Sequence, residues 1–265
     1  MKRIRPETGG SVSLNRSNVK EKDVKDKCVE SLSFIMAGYN EEKIVIPAVK
    51  AAAEALAEGF ENYEIILVDD GSKDRTLQLM KQCAEEDPHI RVLENGVNLN
   101  YGAGVLRGLK AAKNEWAVYD AFDLEMDPRD FVRLFRDMDK TLDVVIYERE
   151  TYDAVPWRQF ASLLNKGLLH LLFPLLMRGT PTLNHTQLFR RSCLDEIIPL
   201  SRSPIFFSPE MIFRAKLRGL KWANQRVPFH SIDGVRSGAF GHLYDIIWAV
   251  TDMFRFRFRL WFGKI

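Results

Sequence analysis

The fold of this chain is decided by the stretch Glu64-Ile65-Ile66-Leu67-Val68-Asp69-Asp70-Gly71-Ser72-Lys73-Asp74-Arg75-Thr76. Its apolar run predicts a buried strand that stops at two adjacent carboxylates and a Gly-Ser turn, after which a helix begins at Thr76. Ligands of open α/β sheets bind at the carboxyl ends of the strands, where this turn would lie. The stretch is therefore either a ligand-binding turn or an ordinary turn whose helix is capped by Ser72 or Asp74.

Units of strand and helix alternate on both sides of this stretch. The predicted strands span residues 31–36, 64–68, 89–93, 116–120 and 143–147, and the helices between them span residues 44–57, 76–86, 105–113 and 131–138. This alternation predicts an α/β fold with a mostly parallel, doubly wound sheet flanked by helices. The second half is less regular, with predicted helices at 158–176, 209–218 and from Leu243 onward, and extended segments at 182–189 and 223–229.

Composition excludes several classes of protein. The 265 residues are 46% hydrophobic, which suits one substantial core, and 38 Lys and Arg against 36 Asp and Glu leave no charge field for nucleic acid. The three cysteines (Cys28, Cys83 and Cys193) are too far apart for a disulfide framework or zinc site, and they favour a reducing, cytoplasmic location. We find neither a signal peptide nor the roughly 20 uninterrupted apolar residues of a spanning helix.

Three predicted loops should meet at one edge of the sheet because each follows a strand. They span residues 37–41, 69–72 and 119–128, and all three carry carboxylates. Acidic side chains at a strand end, next to a phosphate-binding turn, are typical of a hard divalent cation with oxygen ligands. The sequence therefore predicts a Mg²⁺ or Mn²⁺ site at this edge, where the cation would neutralise a diphosphate leaving group.

Four stretches, at residues 37–42, 68–76, 98–108 and 123–128, together resemble family-two glycosyltransferases, which have the A-type nucleotide-sugar fold. The chain looks most like the polyprenyl-phosphate sugar transferases of that family, and the resemblance covers residues 31–240. It implies a nucleotide-diphosphate sugar donor, contacted from seven positions: Ala37, Tyr39, Glu41, Val68, Asp70, Gly102 and Arg107. Without the resemblance, Gly102-Ala103-Gly104 is only a glycine-permitted turn before a helix that ends at Gly108.

The predicted metal site departs from the family pattern. Asp123 and Glu125 match two family positions, but Ala121 stands where the first aspartate of the metal motif should be. Asp120 lies one residue earlier, which along a strand places a side chain on the opposite face unless a bulge intervenes. Three alternatives remain, of which we favour the first: a metal held by Asp123 and Glu125, a metal rescued by Asp120, or an altered or lost metal dependence.

The resemblance also implies an acceptor half. Arg236, with His230 nearby, matches an element that closes over phosphates, and we predict a catalytic role for Arg236 beside Asp123 and Glu125. If a hydroxyl attacks, a carboxylate must accept its proton, and the candidates are Glu210 and Asp127. A lipid phosphate is already anionic and needs no base, so cationic groups would position it, with Arg236, Arg190 and Arg214 as candidates.

Composition and the resemblance together divide the chain into three parts. Residues 1–30 are expected to form a mobile basic tail, residues 31–240 a glycosyltransferase catalytic domain, and residues 241–265 an aromatic and basic C-terminal helix. Aromatic and cationic residues alternate in that helix, which suits either peripheral contact with the cytoplasmic face of a membrane or packing on the domain. The main prediction is an inverting transferase that uses a polyprenyl-phosphate acceptor. The alternatives are transfer to a soluble glycan or small molecule, and a non-catalytic nucleotide-sugar-binding protein.

Overall fold

The computed structural model describes residues 27–124, 126–149, 156–180, 186–201, 203–227 and 243–263. These residues form seven strands: β1 Leu32–Gly38, β2 Tyr63–Asp69, β3 Ile90–Glu94, β4 Trp116–Ala121, β5 Val144–Arg149, β6 Gln187–Arg190 and β7 Trp222–Val227. They also form eight helices: α1 Val45–Gly59, α2 Thr76–Glu86, α3 Tyr101–Ala111, α4 Pro128–Asp137, α5 Pro156–Leu172, α6 Arg191–Ile197, α7 Phe207–Leu217 and α8 Leu243–Trp261.

The strands form one mixed sheet in the order β3-β2-β1-β4-β6-β5-β7. Only β6 runs antiparallel to its neighbours, so the prediction of a mostly parallel α/β sheet is confirmed. Strand β1 lies between β2 and β4, with Gly38 opposite Asp69 and Ala37 opposite Ala121. This register brings the carboxyl ends of all three strands to one edge, because parallel strands end on the same side.

The core consists of two apolar layers, one on each face of the sheet. Phe34 and Met36 of β1 pack into the layer beneath α1 and α4, whereas Ile35 and Ala37 pack into the layer beneath α3 and α7. Every residue of β1 is buried. A strand covered on both faces reads in sequence as a continuous apolar run, which is why the central strands were predictable.

Helix α3 begins four residues earlier than predicted. The side chain of Asn100 accepts a hydrogen bond from the Ala103 N–H and caps the helix, so Gly102 lies in its first turn. Gly108 lies inside the helix, so the alternative in which a helix ends there is wrong, and α3 ends at Ala111, close to the predicted end at residue 113. Close packing of α3 on β1 requires glycine at this position, because a Cβ at Gly108 would lie 2.3 Å from Cγ2 of Ile35.

The predicted N-terminal tail and C-terminal helix can be compared with the structure only in part. Residues 1–26 of the predicted tail lie outside the described residues. Cys28 already belongs to the folded domain, because its N–H donates to the Gly59 carbonyl at 2.8 Å and it forms a parallel bridge with Phe60. The predicted helix from Leu243 is confirmed as α8, and no helix among the described residues meets the length and hydropathy needed to cross a membrane.

We expect Gly108→Ala to lower the free energy of unfolding by about 1–3 kcal/mol, because the new methyl group would overlap a fully buried isoleucine. The matched control is Gly167→Ala in α5, where a Cβ meets nothing within 4 Å. That substitution should stabilise the protein by up to about 1 kcal/mol, since alanine favours the helix. Urea denaturation measures both, and equal effects of the two substitutions would contradict close packing of α3 on β1.

Candidate active site

The loop after β1 and the loop after β2 are tied together by hydrogen bonds between them. The Asn40 N–H donates to Ser72 Oγ at 3.0 Å, and the Lys73 N–H donates to Asn40 Oδ1 at 2.8 Å. One residue further, the Glu41 N–H donates to Thr76 Oγ1 at 2.7 Å. These bonds replace water on backbone groups that neither strand can satisfy, and so fix the two loops as a single unit.

Left-handed backbone is concentrated at this edge of the sheet. Among the described residues, the non-glycine residues with positive φ are Asn40 (57°), Asn100 (79°) and Leu124 (46°), and each lies in a loop that follows a parallel strand. The remaining loop has Gly71 at φ 75°, where a Cβ would also lie 2.5 Å from the carbonyl carbon of Val97. Such conformations cost about 1–3 kcal/mol each for non-glycine residues and cluster at functional sites.

The two adjacent carboxylates after β2 have different tasks. Asp69 accepts hydrogen bonds from the N–H groups of Gly71 and Ser72 and thereby holds the turn. Asp74, which accepts the Thr76 N–H at 3.0 Å, holds the first turn of α2. The sequence left open a ligand-binding turn and a turn whose helix is capped by Ser72 or Asp74. The N-cap position of α2 is Arg75, which makes no side-chain cap hydrogen bond, so Asp69 and Asp74 stabilise the turn without capping the helix.

Asp70 is buried at the same edge. Its Oδ1 accepts hydrogen bonds from Asn95 Nδ2 at 2.7 Å and from the Leu99 N–H at 2.9 Å. Its Oδ2 is buried and has no hydrogen-bond partner among the described residues. Burial raises the pKa of Asp70 above its usual range, against the lowering effect of these hydrogen bonds. A buried acceptor of this kind is suited to a ligand hydroxyl or N–H group.

Arg107 supports this aspartate from behind. Its guanidinium donates to the carbonyl of Glu94 at 2.5 Å and to the side-chain oxygen of Asn95, and Asn95 in turn donates to Asp70. Sequence reasoning missed Asn95, which the cluster of Asn residues after β3 could have indicated. The nucleotide contact predicted for Arg107 stays a prediction, and in the structure this residue fixes the loop that holds Asp70.

The other predicted donor-binding residues fall into three groups. Ala37 and Val68 are 2% and 0% exposed and their side chains pack beneath α3, so any ligand contact from them would use the main chain. Tyr39 and Glu41 lie half-buried in the loop after β1. Gly102 is buried in the first turn of α3. The edge therefore offers Tyr39 and Glu41 as accessible side chains.

Asp123 lies close enough to Glu41 for their charges to interact. The pKa of Glu41 is raised to about 7, first by burial and then by the negative charges of Asp123 and Asp74. Asp123 itself lies in the turn after β4, which is closed by a hydrogen bond from the Leu124 N–H to the Ala121 carbonyl at 3.1 Å. Carboxylates that repel one another at a half-buried edge fit a divalent cation, which would relieve that repulsion.

The alternative in which Asp120 rescues the metal site is wrong. Pairing with β1 continues without a bulge through Ala121, so Asp120 stays opposite Met36 on the other face of the strand. It is 3% exposed, and its Oδ1 accepts the Ala121 N–H at 2.8 Å. Within the described ranges, no three carboxylate, histidine or cysteine side chains form a metal cluster. Glu125, His230 and Arg236 lie outside the described residues.

Arg190 lies at the wrong edge of the sheet to position an acceptor phosphate. Because β6 is antiparallel, Arg190 pairs with Trp116 at the start of β4, at the edge opposite to Asp123. Its guanidinium donates to Glu115 Oε1 at 2.7 Å and to the Lys140 carbonyl at 2.6 Å. The prediction for this residue is therefore wrong, since the direction of β6 could not be read from its composition.

Glu210 and Arg214, two further candidates, form a buried ion pair with 2.7 Å between Oε1 and Nε. The carboxylate of Glu210 also accepts the N–H groups of Leu200 and Ser201, at 3.1 and 3.0 Å. Both of its oxygens therefore accept hydrogen bonds from the loop before α7. Asp127, the other candidate base, accepts the Arg129 N–H at the start of α4 and is its N-cap.

Sequence reasoning missed a buried hydrogen-bonded cluster formed by Tyr119 of β4, Gln187 of β6 and Ser208 of α7. Gln187 of β6 donates to Ser208 Oγ at 2.6 Å, and Tyr119 shares the same hydroxyl. Burial raises the pKa of Tyr119 above its ordinary value. Nothing in the spacing of these residues along the chain indicates that they meet, because the contact depends on the antiparallel pairing of β4 with β6.

Two solved structures with a similar fold are complexes of one enzyme with UDP and a divalent cation. Glucosyl-3-phosphoglycerate synthase from Mycobacterium tuberculosis, in complex with Mn²⁺, UDP and phosphoglyceric acid, matches with a TM-score of 0.61 and 16% identity over 86% of this chain and 78% of that chain. Its complex with Mg²⁺ and UDP matches with a TM-score of 0.62 and 16% identity, over 86% and 79% of the two chains. The fold is that of the A-type glycosyltransferases.

Sequence comparison identifies the family. The model of Glycosyl transferase family 2 matches residues 33–198, and the chain belongs to this family. Undecaprenyl-phosphate 4-deoxy-4-formamido-L-arabinose transferase of Edwardsiella ictaluri (strain 93-146) is 30% identical over 145 residues, which are 54% of this chain and 44% of that protein. The protein of the same name from Pseudomonas fluorescens (strain Pf0-1) is 31% identical over 121 residues, or 44% and 35% of the two chains. The chain thus spans less than half the length of these curated relatives.

We expect Glu210→Gln to lower the free energy of unfolding by about 3 kcal/mol or more, because it leaves the buried Arg214 without a counter-charge. The matched control is Glu196→Gln, whose carboxylate is 58% exposed and 3.9 Å from Arg218, and it should change stability by less than about 0.5 kcal/mol. Thermal and urea unfolding measure both variants. A Glu210→Gln protein that unfolds like the parent but has lost its activity would instead support a catalytic base.

Proposed function

We propose that this chain is an inverting glycosyltransferase that moves a sugar from a nucleotide-diphosphate sugar to a polyprenyl phosphate. The observation that carries the proposal is the edge where the loops after β1, β2, β3 and β4 meet, with Asp70 and Asp123 at its base. The family supports a sugar transferase. The relatives named as undecaprenyl-phosphate transferases support the lipid acceptor. We place the reaction at the cytoplasmic face of a membrane, where such an acceptor would be reached.

The donor would occupy the loops after β1, β2 and β3. We assign the base and ribose to Tyr39, Glu41 and Asp70, because Asp70 presents a buried acceptor and the other two are accessible beside it. Ala37 and Val68 would contribute through the main chain. The diphosphate would lie towards the N-terminus of α3 at Gly102, since helix N-termini favour negative charge.

A divalent cation fits beside Asp123. Mg²⁺ and Mn²⁺ need only one or two protein carboxylates when substrate phosphates and water complete the coordination shell. We assign Asp123 as a ligand and, from sequence, Glu125 as the second. When bound, the cation supplies charge neutralisation for the departing nucleotide diphosphate. The M. tuberculosis structures hold Mn²⁺ or Mg²⁺ together with UDP, which supports the same cofactors in this chain.

The acceptor phosphate would attack the anomeric carbon directly. A phosphate oxygen forms the new bond to that carbon while the bond to the nucleotide diphosphate breaks, and the diphosphate leaves with the electron pair. No general base is required, and this agrees with the candidate bases, since Glu210 and Asp127 are both engaged with backbone N–H groups. From the sequence we assign Arg236 to the acceptor or donor phosphate.

Two alternatives remain testable. A soluble small-molecule acceptor is favoured by one of the two structural neighbours, which was crystallised with phosphoglyceric acid. A non-catalytic nucleotide-sugar-binding protein is favoured by Ala121, which removes one carboxylate from the expected metal site. The experiments that follow separate these alternatives from the main proposal.

We expect Asp123→Asn to weaken Mn²⁺-dependent binding of a nucleoside diphosphate by at least about tenfold, because the neutral amide no longer offsets the cation's charge. The control is Asp127→Asn, four residues away, because asparagine is an equally good N-cap and should leave both stability and binding unchanged. Calorimetric titration of UDP and GDP, with Mn²⁺ and with EDTA, measures this. Equal binding by both variants would show that Asp123 is not a metal ligand.

We expect a radiolabelled sugar to be transferred from its nucleotide to undecaprenyl phosphate, and the product to partition into organic solvent. Water-soluble label that depends on added phosphoglyceric acid would support the soluble acceptor. Donor binding without transfer to either acceptor would support the non-catalytic alternative. Asp127→Asn also has a diagnostic use here, because loss of transfer with intact donor binding would indicate a base and a hydroxyl acceptor.

A further inference from the structure

Helix α8 has two apolar stripes on opposite faces. Ala249, Met253 and Phe256 are at most 2% exposed and pack into the core. The other stripe recurs at the same helical spacing but is between 54% and 83% exposed: Tyr244, Ile247, Phe254, Phe258 and Trp261. A helix that packs on a core on one side needs only one apolar stripe, so folding does not explain the outward apolar stripe.

Helix α5 extends this outward surface. The two helices are neighbours, and the rings of Phe173, just after α5, and Phe256 of α8 are 5.7 Å apart in the core. Because both helices turn one face to the same core, their opposite faces look outward on the same side. From α5 and the turn after it come four leucines that are 57% to 77% exposed: Leu163, Leu164, Leu171 and Leu175.

Together these nine side chains, here called the α5–α8 platform, form the largest group of exposed apolar residues among the described residues. The exposed apolar residues elsewhere, such as Val29 and Leu200, lie singly or in pairs. Scattered apolar residues need no explanation, but exposed apolar residues grouped on two neighbouring helices indicate a binding face.

Apart from Asp245, a half-buried carboxylate in the first turn of α8, the charges beside the platform are cationic. Arg257 of α8 and Lys166 of α5 are exposed, and Arg259 is partly exposed. Arg255 is also exposed, with its Nη1 3.4 Å from the buried carboxylate of Asp252. Arginine beside aromatic rings suits a lipid headgroup boundary, where the rings enter the acyl region and the cations meet phosphates.

We propose that the α5–α8 platform binds the surface of an anionic lipid bilayer. The apolar stripe supplies burial, and the arginines and lysine supply charge complementarity to the headgroups. Tyr244 and Trp261, near the two ends of α8, are residue types that favour the membrane–water interface. This inference rests on the proposed function, because a polyprenyl-phosphate acceptor is held in such a bilayer.

Co-sedimentation of the full chain with lipid vesicles tests the proposal. We expect binding to vesicles of phosphatidylcholine mixed with phosphatidylglycerol, and weaker binding to phosphatidylcholine alone. The double variant Phe254→Ser, Phe258→Ser should lower the partition coefficient at least about tenfold, since two aromatic rings no longer leave water. Arg257→Gln should lower binding to the anionic vesicles about fivefold. Val29→Ser, at a 72% exposed valine outside the platform, should have no effect.

The variants also separate the platform from the fold. All substituted side chains are exposed, so the thermal midpoint should not change. If the α8 variant unfolds early, Leu171→Ser with Leu175→Ser tests the α5 half instead. Unchanged vesicle binding by both pairs of substitutions would overturn the proposal. A dimer in solution that the same substitutions dissociate would also overturn it, by assigning this face to a second copy of the chain.

Failure of the platform can be told apart from failure of the proposed function. The platform variants should keep donor binding and transfer to a detergent-solubilised acceptor, while transfer to an acceptor embedded in vesicles falls with vesicle binding. Vesicle binding by a parent protein that transfers sugar to no acceptor would leave the platform standing and refute the function. Sugar transfer by a parent protein that does not bind vesicles would refute the platform and leave the proposed function standing.

Discussion

The hydrogen bonds between the loop after β1 and the loop after β2 are the constraint on which the site depends. Parallel pairing brings Gly38 and Asp69 side by side, but beyond that point neither strand can satisfy its backbone groups. Asn40 resolves this by adopting a left-handed conformation from which its N–H and side-chain oxygen both reach the neighbouring loop. The cost of that conformation is offset by bonds that would otherwise be made to water, so the loops hold one shape before any ligand binds.

Asp70, directly after β2, is also held in place by hydrogen bonds from a neighbouring loop. A carboxylate can be held buried with one unpaired oxygen only if the other oxygen is well satisfied, and Asn95 and the Leu99 N–H do this. Asn95 is in turn held by Arg107. Close packing of α3 on β1 at Gly108 sets the distance between the helix that carries Arg107 and the sheet edge.

Sequence alone predicted the central strands and the edge at which the loops meet, because a strand buried on both faces leaves an unmistakable apolar run. It failed where local pattern does not encode a partner. The glycines of α3 suggested a loop, although Asn100 caps a helix there and Gly108 serves contact with Ile35. Arg190 was misassigned for the same reason, since the direction of β6 depends on residues distant in sequence.

The C-terminal helix shows why two interpretations that compete in sequence need not exclude each other. Alternating aromatic and cationic residues favoured either a membrane surface or a helix packed on the domain. A helix shares its residues among faces, so Phe256 is 2% exposed while Phe254 and Phe258 are 54% and 61% exposed. Packing therefore uses only one stripe, and the remaining stripe is bordered by arginines whose charge suits phosphate-bearing lipids. The proposed polyprenyl-phosphate acceptor has a matching chemistry, since it carries a phosphate on a long apolar chain.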